Sequence, residues 1–188
     1  MNEALSILKA IREEASRNLL AYVDDLGNDE YFWEPVPCCW SVRPNGEGGF
    51  RAEWELTPLL GDGPFTTIAA RMWHLGARPW PRPTLTRDLA LHFHFVKRFA
   101  PPGRDYHDAC GTAAAAVASL REDNDRWLRH FDALSEEELE RPIGAVAGRY
   151  GESSYVGLIG HFTNEYVHHA AEVRLLRHLY RSGAGQVG

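Results

Sequence analysis

Lysine and cysteine are both scarce in this sequence of 188 residues. Lys9 and Lys97 are its only lysines, and 20 basic residues against 26 acidic ones leave a net charge of −6. Proteins that bind a nucleic-acid backbone usually carry a basic patch, so this composition argues against nucleic acid and against an anionic membrane surface as partners. Three cysteines without a regular spacing also argue against a secreted scaffold built on disulfides.

Long hydrophobic runs are absent as well. No stretch approaches the roughly 20 apolar residues that a membrane-spanning helix needs, and the N-terminus lacks the basic-then-apolar layout of a secretory signal. With 44% hydrophobic residues, the chain can nevertheless bury a sizeable core. We therefore expect a soluble, cytoplasmic protein with one domain over residues 1–182 and a flexible C-terminal tail over residues 183–188.

Hydrophobic periodicity predicts a helical fold. Apolar residues spaced three or four apart mark one face of a helix, and four such segments occur along the chain. The second begins at a cap formed by Thr66 or Thr67, and a capping box at Ser135 begins a further short turn. The four predicted helices cover residues 2–26, 66–77, 105–131 and 153–181. This pattern predicts an all-α four-helix bundle.

Two segments between these helices show no clear helical period. Residues 28–64 are rich in proline and glycine and contain three tryptophans, which predicts a long aromatic-rich loop between the first two helices, with a short strand near residues 50–56. Residues 84–104 are ambiguous, because residues 91–95 alternate like a strand while a helical turn satisfies the same pattern.

Histidine is abundant, with nine residues, and the last predicted helix holds a distinctive group of them. Residues four apart lie one turn apart on nearly the same face, so Glu165 and His169 can converge on one point beside the helix. His168 is rotated by about 100° and faces elsewhere. Two such side chains suit a metal ion, which then needs a third ligand from another helix. His74, at the apolar end of the second helix, is the best candidate.

A glutamate and a histidine one turn apart are also common as a simple solvated ion pair. The apolar surroundings of Glu165 and His169 and the interior position of His74 strengthen the case for a metal site, with the ion pair as the alternative. His161, one further turn along the same helix, is either an additional ligand or a group at the rim of the site. The remaining histidines are expected to be structural or exposed, and the sequence contains neither a serine nucleophile elbow nor a phosphate-binding loop.

Two stretches resemble a known family. Residues 65–75 look like the second-helix motif of DinB-like proteins, and residues 161–173 look like the last-helix motif of their actinobacterial branch. The resemblance implies a four-helix bundle that binds a divalent metal, usually zinc or nickel, through one residue of the second helix and two of the last. The matching residues are His74, Glu165 and His169, a set similar to that of mycothiol-dependent maleylpyruvate isomerases.

The resemblance also implies a function. Characterised relatives are thiol-dependent isomerases and transferases, so we expect a metal-dependent enzyme that activates water or a thiol such as mycothiol. In this hypothesis the catalytic residue is His161, either as a proton carrier or as a group that supports the ligands. Residues 170–172 are Ala-Ala-Glu where many members have Arg-Gly-Gln, so no single member's substrate is carried over. A metal- or ligand-binding stress protein and a hydrolase or cyclase on the same scaffold are the alternatives. The expected partners are a small-molecule substrate and, as is common for helical bundles, a second copy of the chain.

Overall fold

The computed structural model describes residues 3–53, 65–96 and 100–183, and this part of the chain is mostly helical, which confirms the predicted all-α class. Two short strands, β1 (Val42–Pro44) and β2 (Phe50–Ala52), form an antiparallel hairpin. No helix among the described residues is both long and apolar enough to cross a membrane. The helices are α1 (Glu3–Tyr22), α2 (Asn28–Tyr31), α3 (Ile68–His74), α4 (Arg87–Val96), α5 (Ala113–Ala133), α6 (Glu136–Glu140), a 3-10 helix (Ala145–Tyr150) and α7 (Tyr155–Arg181).

The main core lies among α1, α3, α5 and α7. Helix α1 contacts α7 and α5, and α3 contacts the same two helices. Helices α1 and α7 run parallel, as two contacts show. The guanidinium of Arg12 lies 3.6 Å over the ring of Tyr166 and, further along both helices, the ring of Tyr22 lies 5.7 Å from that of His178. Helix α3 is almost entirely buried, so its position is determined by packing on both long neighbours. Its buried side chains are Ile68, Ala69, Ala70, Met72 and Trp73.

The inner face of α1 differs from the one that periodicity predicts. Ile11, which the spacing places in the core, is 43% exposed, whereas Arg12 is 3% exposed. Arg12 can be buried because its guanidinium stacks on Tyr166 and donates a 3.0 Å hydrogen bond to Asn124. Helix α1 also ends earlier than predicted, at Tyr22. An aromatic ring and an amide thus let a cation occupy an inward position.

The third predicted helix begins later than expected, after its cap Thr112. The backbone of the preceding segment is bonded to the hairpin instead. The N–H of Ala52 donates to the carbonyl of His107, and the N–H of Ala109 donates to the carbonyl of Phe50. Peptide groups that pair with a strand cannot also form helical hydrogen bonds, so the helix starts beyond them.

The aromatic-rich segment positions the start of α3. The N–H of Trp40 donates to the carbonyl of Phe65, and the N–H of Thr67 donates to the carbonyl of Trp40. Thr67 is also the cap of α3, where its hydroxyl oxygen accepts from the N–H of Ala70 and its hydroxyl donates to Ser41 Oγ. The helix that ends at His74 therefore begins at a point held by backbone and side-chain hydrogen bonds.

The remaining sequence predictions concern the segments between the long helices and the C-terminal tail. The ambiguous segment 84–104 contains a helix, α4, and the strand predicted near residues 50–56 is β2. The capping box at Ser135 is confirmed. Trp54 and residues 184–188 of the predicted tail lie outside the described residues.

Candidate metal centre

His74 is presented by a helix that is anchored at both ends. Thr67 caps the first turn of α3, and the indole N–H of Trp73 donates a 3.1 Å hydrogen bond to the carbonyl of Asp108. The guanidinium of Arg78 covers the same indole ring at 3.8 Å. This packing of Trp73 holds the last turn of α3 in place, and the imidazole of His74 faces α7.

Three side chains from two helices meet at one point. On α7, Glu165 and His169 lie one turn apart, and His169 Nε2 is 3.4 Å from Glu165 Oε2. From α3, His74 Nε2 is 3.8 Å from the same oxygen. The two imidazole rings are perpendicular, with their centroids 4.5 Å apart. One ligand atom from each residue thus lies within 4.8 Å of the other two.

The spacing of these atoms suits a divalent cation. Zinc binds histidine nitrogen and carboxylate oxygen at about 2.0–2.2 Å, so neighbouring ligands of a tetrahedral ion lie about 3.3–3.6 Å apart. The observed 3.4 and 3.8 Å are close to this value, and both exceed the usual N–H···O hydrogen-bond length of about 2.7–3.2 Å. Among the described residues, no other group of His, Cys, Asp and Glu side chains has this arrangement. The three residues therefore fit a metal ion with a position left open for water or substrate.

Burial and neighbouring charges favour the ligand forms of these side chains. Burial lowers the pKa of His74 to about 4, so its imidazole is neutral at pH 7. Contacts with His169 and then His74 hold the pKa of the Glu165 carboxyl well below its usual range. Burial lowers the pKa of His169, but the nearby carboxylates of Glu165 and Glu172 outweigh it and raise that pKa overall. Because a cation and a proton compete for His169, metal binding should weaken as the pH falls.

Two residues that the sequence did not assign to the site lie beside His169. Glu172 Oε2 is 2.6 Å from His169 Nδ1, and Arg71 Nε is 3.0 Å from the same carboxylate oxygen. Glu172 follows His169 by three residues, and Arg71 precedes His74 by three. Residues three apart share a face of a helix, so this spacing is the signal that could have revealed both.

His161 lies apart from the three converging side chains. It is exposed on α7, and its ring centroid is 5.0 Å from that of His94 on α4. Its charge is one of the smaller influences that lower the pKa of Glu165. His161 is therefore not brought into the group as an additional ligand, and its catalytic role stays a prediction.

Other histidines have surroundings that match a packing or surface role. His130 is buried, and its Nε2 is 2.7 Å from the hydroxyl of Tyr155. His107 stacks on Trp73 with the ring centroids 5.9 Å apart. His168, next to a candidate ligand in the chain, is exposed. Packing contacts explain His130 and His107, and exposure to solvent explains His168, so none of the three requires a metal.

The fold and the converging side chains define a class of protein, in which helices surround a candidate metal centre shared by two of them. A family model, that of the DinB superfamily, matches residues 12–173, a span that includes His74, Glu165 and His169. The chain belongs to the DinB superfamily. No curated protein and no solved structure matches it. The actinobacterial branch and the relation to mycothiol-dependent maleylpyruvate isomerases stay predictions.

Proposed function

We propose that this protein is a divalent-metal-dependent enzyme that acts on a low-molecular-weight thiol, as an S-transferase or an isomerase. The observation that supports the proposal is the convergence of His74, Glu165 and His169, whose ligand atoms lie within 4.8 Å of one another. Two imidazoles and one carboxylate suit zinc or nickel. Three protein ligands leave a position for water or substrate, which is the arrangement of catalytic rather than structural zinc sites.

The charge of the site favours an anionic substrate atom. Glu165 and Glu172 are ionised, Arg71 is positive and His74 is neutral. With His169 also neutral, these side chains carry one net negative charge, which a divalent cation would turn into one net positive charge. A thiolate in the open position would neutralise it. When bound, the metal would lower the pKa of a thiol or water and supply a nucleophile at neutral pH.

We assign the proton transfer of this reaction to His161. Histidine is the side chain whose charge changes most readily near neutral pH. His161 is exposed to solvent and lies one helical turn from Glu165, between the candidate ligands and the N-terminal end of α7. A His161→Gln variant should keep its metal and lose turnover. Equal turnover in the variant and the wild type would rule out this role.

Metal content tests the candidate centre. Protein purified without a nickel column and measured by X-ray fluorescence should carry about one divalent ion per chain, as a three-ligand site predicts. His74→Ala and His169→Ala should each lose most of it. His168→Ala is the matched control, because His168 is the exposed neighbour of His169, and it should keep the metal. A wild-type protein that is isolated without metal and takes up no zinc, nickel or cobalt on dialysis would overturn the proposal.

Activity tests the reaction class. A panel of low-molecular-weight thiols, mycothiol among them, is incubated with electrophiles and with cis-trans isomerisable acids, with and without a chelator. The proposal predicts a product that depends on both the thiol and the metal. Turnover that needs metal but no thiol would instead indicate a hydrolase or cyclase. Stoichiometric metal without turnover would instead indicate a metal-binding protein.

A further inference from the structure

The two ring nitrogens of His169 have different partners. Nε2 lies 3.4 Å from Glu165 Oε2, whereas Nδ1 lies 2.6 Å from Glu172 Oε2. An ionised carboxylate only accepts hydrogen bonds, so the nitrogen at this short distance carries a hydrogen and donates it. In the neutral ring, Nε2 is then the nitrogen with the lone pair, which is the form that a metal ligand requires.

Arg71 is coupled to His169 through this carboxylate. Its Nη1 is 3.2 Å from His169 Nδ1. Two donors cannot form a hydrogen bond with each other, so an Nδ1 that already carries a hydrogen cannot accept from Arg71. The favourable contact of Arg71 is with Glu172, at 3.0 Å, and its side chain is only 18% exposed, which limits screening by water. Arg71 therefore acts on the ring of His169 by holding Glu172.

The same ion pair connects the two helices that carry the candidate ligands. Arg71 belongs to α3 and lies about one turn before His74, while Glu172 belongs to α7 and lies about one turn after His169. We infer that Glu172 and Arg71 are positioning residues, which direct Nε2 of His169 toward the other ligands and hold α3 against α7 where the ligand atoms converge. This inference rests on the proposed metal centre, although the state of the ring can be measured without a metal.

The first experiment measures the ring of His169 in metal-free protein. Long-range ¹H–¹⁵N NMR spectra, recorded at a pH at which the ring is neutral and assigned with a His169→Gln variant, distinguish which nitrogen carries the hydrogen. The wild type should carry it on Nδ1. Glu172→Ala should lose this preference, and Glu172→Asp, which keeps a carboxylate, should restore much of it. Glu14→Ala, which removes an exposed acid of α1, is the control. A wild-type ring with its hydrogen on Nε2 would overturn the inference.

The second experiment measures zinc affinity by competition with a chromophoric chelator, on variants whose fold is verified by circular dichroism. Removing the carboxylate partner of a metal-binding histidine weakens binding by about 10–100-fold, and we expect this loss for Glu172→Ala. Arg71→Met should weaken zinc binding by a smaller factor. The double variant Arg71→Met/Glu172→Ala should bind zinc no more weakly than Glu172→Ala alone, because Arg71 acts through Glu172. Cobalt spectra of Glu172→Ala should keep the coordination number of the wild type, whereas a lost ligand would mean that Glu172 binds the metal itself.

The two experiments separate this inference from the proposed function. If the wild type binds no divalent metal, the proposed function is wrong, and the NMR spectra alone decide whether Glu172 sets the ring of His169. If the wild type binds zinc and Glu172→Ala binds it equally tightly, with the hydrogen still on Nδ1, the positioning role is wrong and the proposed function stands.

Discussion

Arg177 joins the C-terminal part of α7 to the end of α1 and to α2. Its Nε and Nη2 donate to the two carboxylate oxygens of Glu30, each at 2.8 Å. Its Nη1 donates to the carbonyl of Tyr22 and, at 3.0 Å, to Asp25. The side chain of Arg177 is 0% exposed and that of Glu30 is 7% exposed, so this ion pair is buried. Asp25 is 72% exposed, and its contribution should be small.

Replacing Arg177 alone should be costly. Removing one partner of a buried ion pair costs about 3–5 kcal/mol, because the remaining charge is poorly compensated. In Arg177→Met the carboxylate of Glu30 keeps only Arg181, which is 47% exposed and lies 3.6 Å away, so we expect the free energy of unfolding to fall by about this amount. For a domain of this size the melting temperature should fall by about 6–20 °C. The double variant Arg177→Met/Glu30→Leu should recover most of the loss, because apolar replacement of both partners is often neutral.

Urea denaturation followed by tryptophan fluorescence and circular dichroism measures these free energies. The single variant should still bind zinc when folded, because Arg177 lies about 12 Å along α7 from His169. A single variant that loses less than about 1 kcal/mol, the size of an exposed ion pair, would refute the reasoning. So would a double variant no more stable than the single one.

Two further predictions concern acid stability and the start of α3. Burial lowers the pKa of His130 from 6.5 to about 4, so between these values the unfolded chain binds a proton that the folded chain does not. Stability should therefore fall as the pH drops through this window, by about 3 kcal/mol in full. Thermal denaturation at several pH values should show a flatter profile for His130→Gln, and an unchanged profile would contradict the prediction. Thr67→Val removes the cap of α3 and the hydrogen bond to Ser41, which should cost about 1–2 kcal/mol and weaken zinc binding through His74. Thr67→Ser keeps both bonds, and equal urea midpoints for the two variants would rule out the cap.

Local regularity in the sequence was enough to predict α7 and two of the candidate ligands. Glu165 and His169 lie one turn apart on a continuous helix, and their convergence follows from helical geometry alone. The capping box at Ser135 could also be predicted from the sequence, since both of its hydrogen bonds join residues three apart. His74 could be proposed from its apolar neighbours and from the family resemblance, but the sequence contained no distance between the two helices.

Only the tertiary structure decided which side chains complete the site. Arg71 and His169 are 98 positions apart in the chain, and they meet because α3 packs against α7. The same is true of Arg12, whose burial depends on a ring and an amide supplied by α7 and α5. The late start of α5 likewise depends on hydrogen bonds to the hairpin. Residue spacing determines which side chains share a helix face, but it carries no information about how two helices pack, and that packing places His74 beside Glu165.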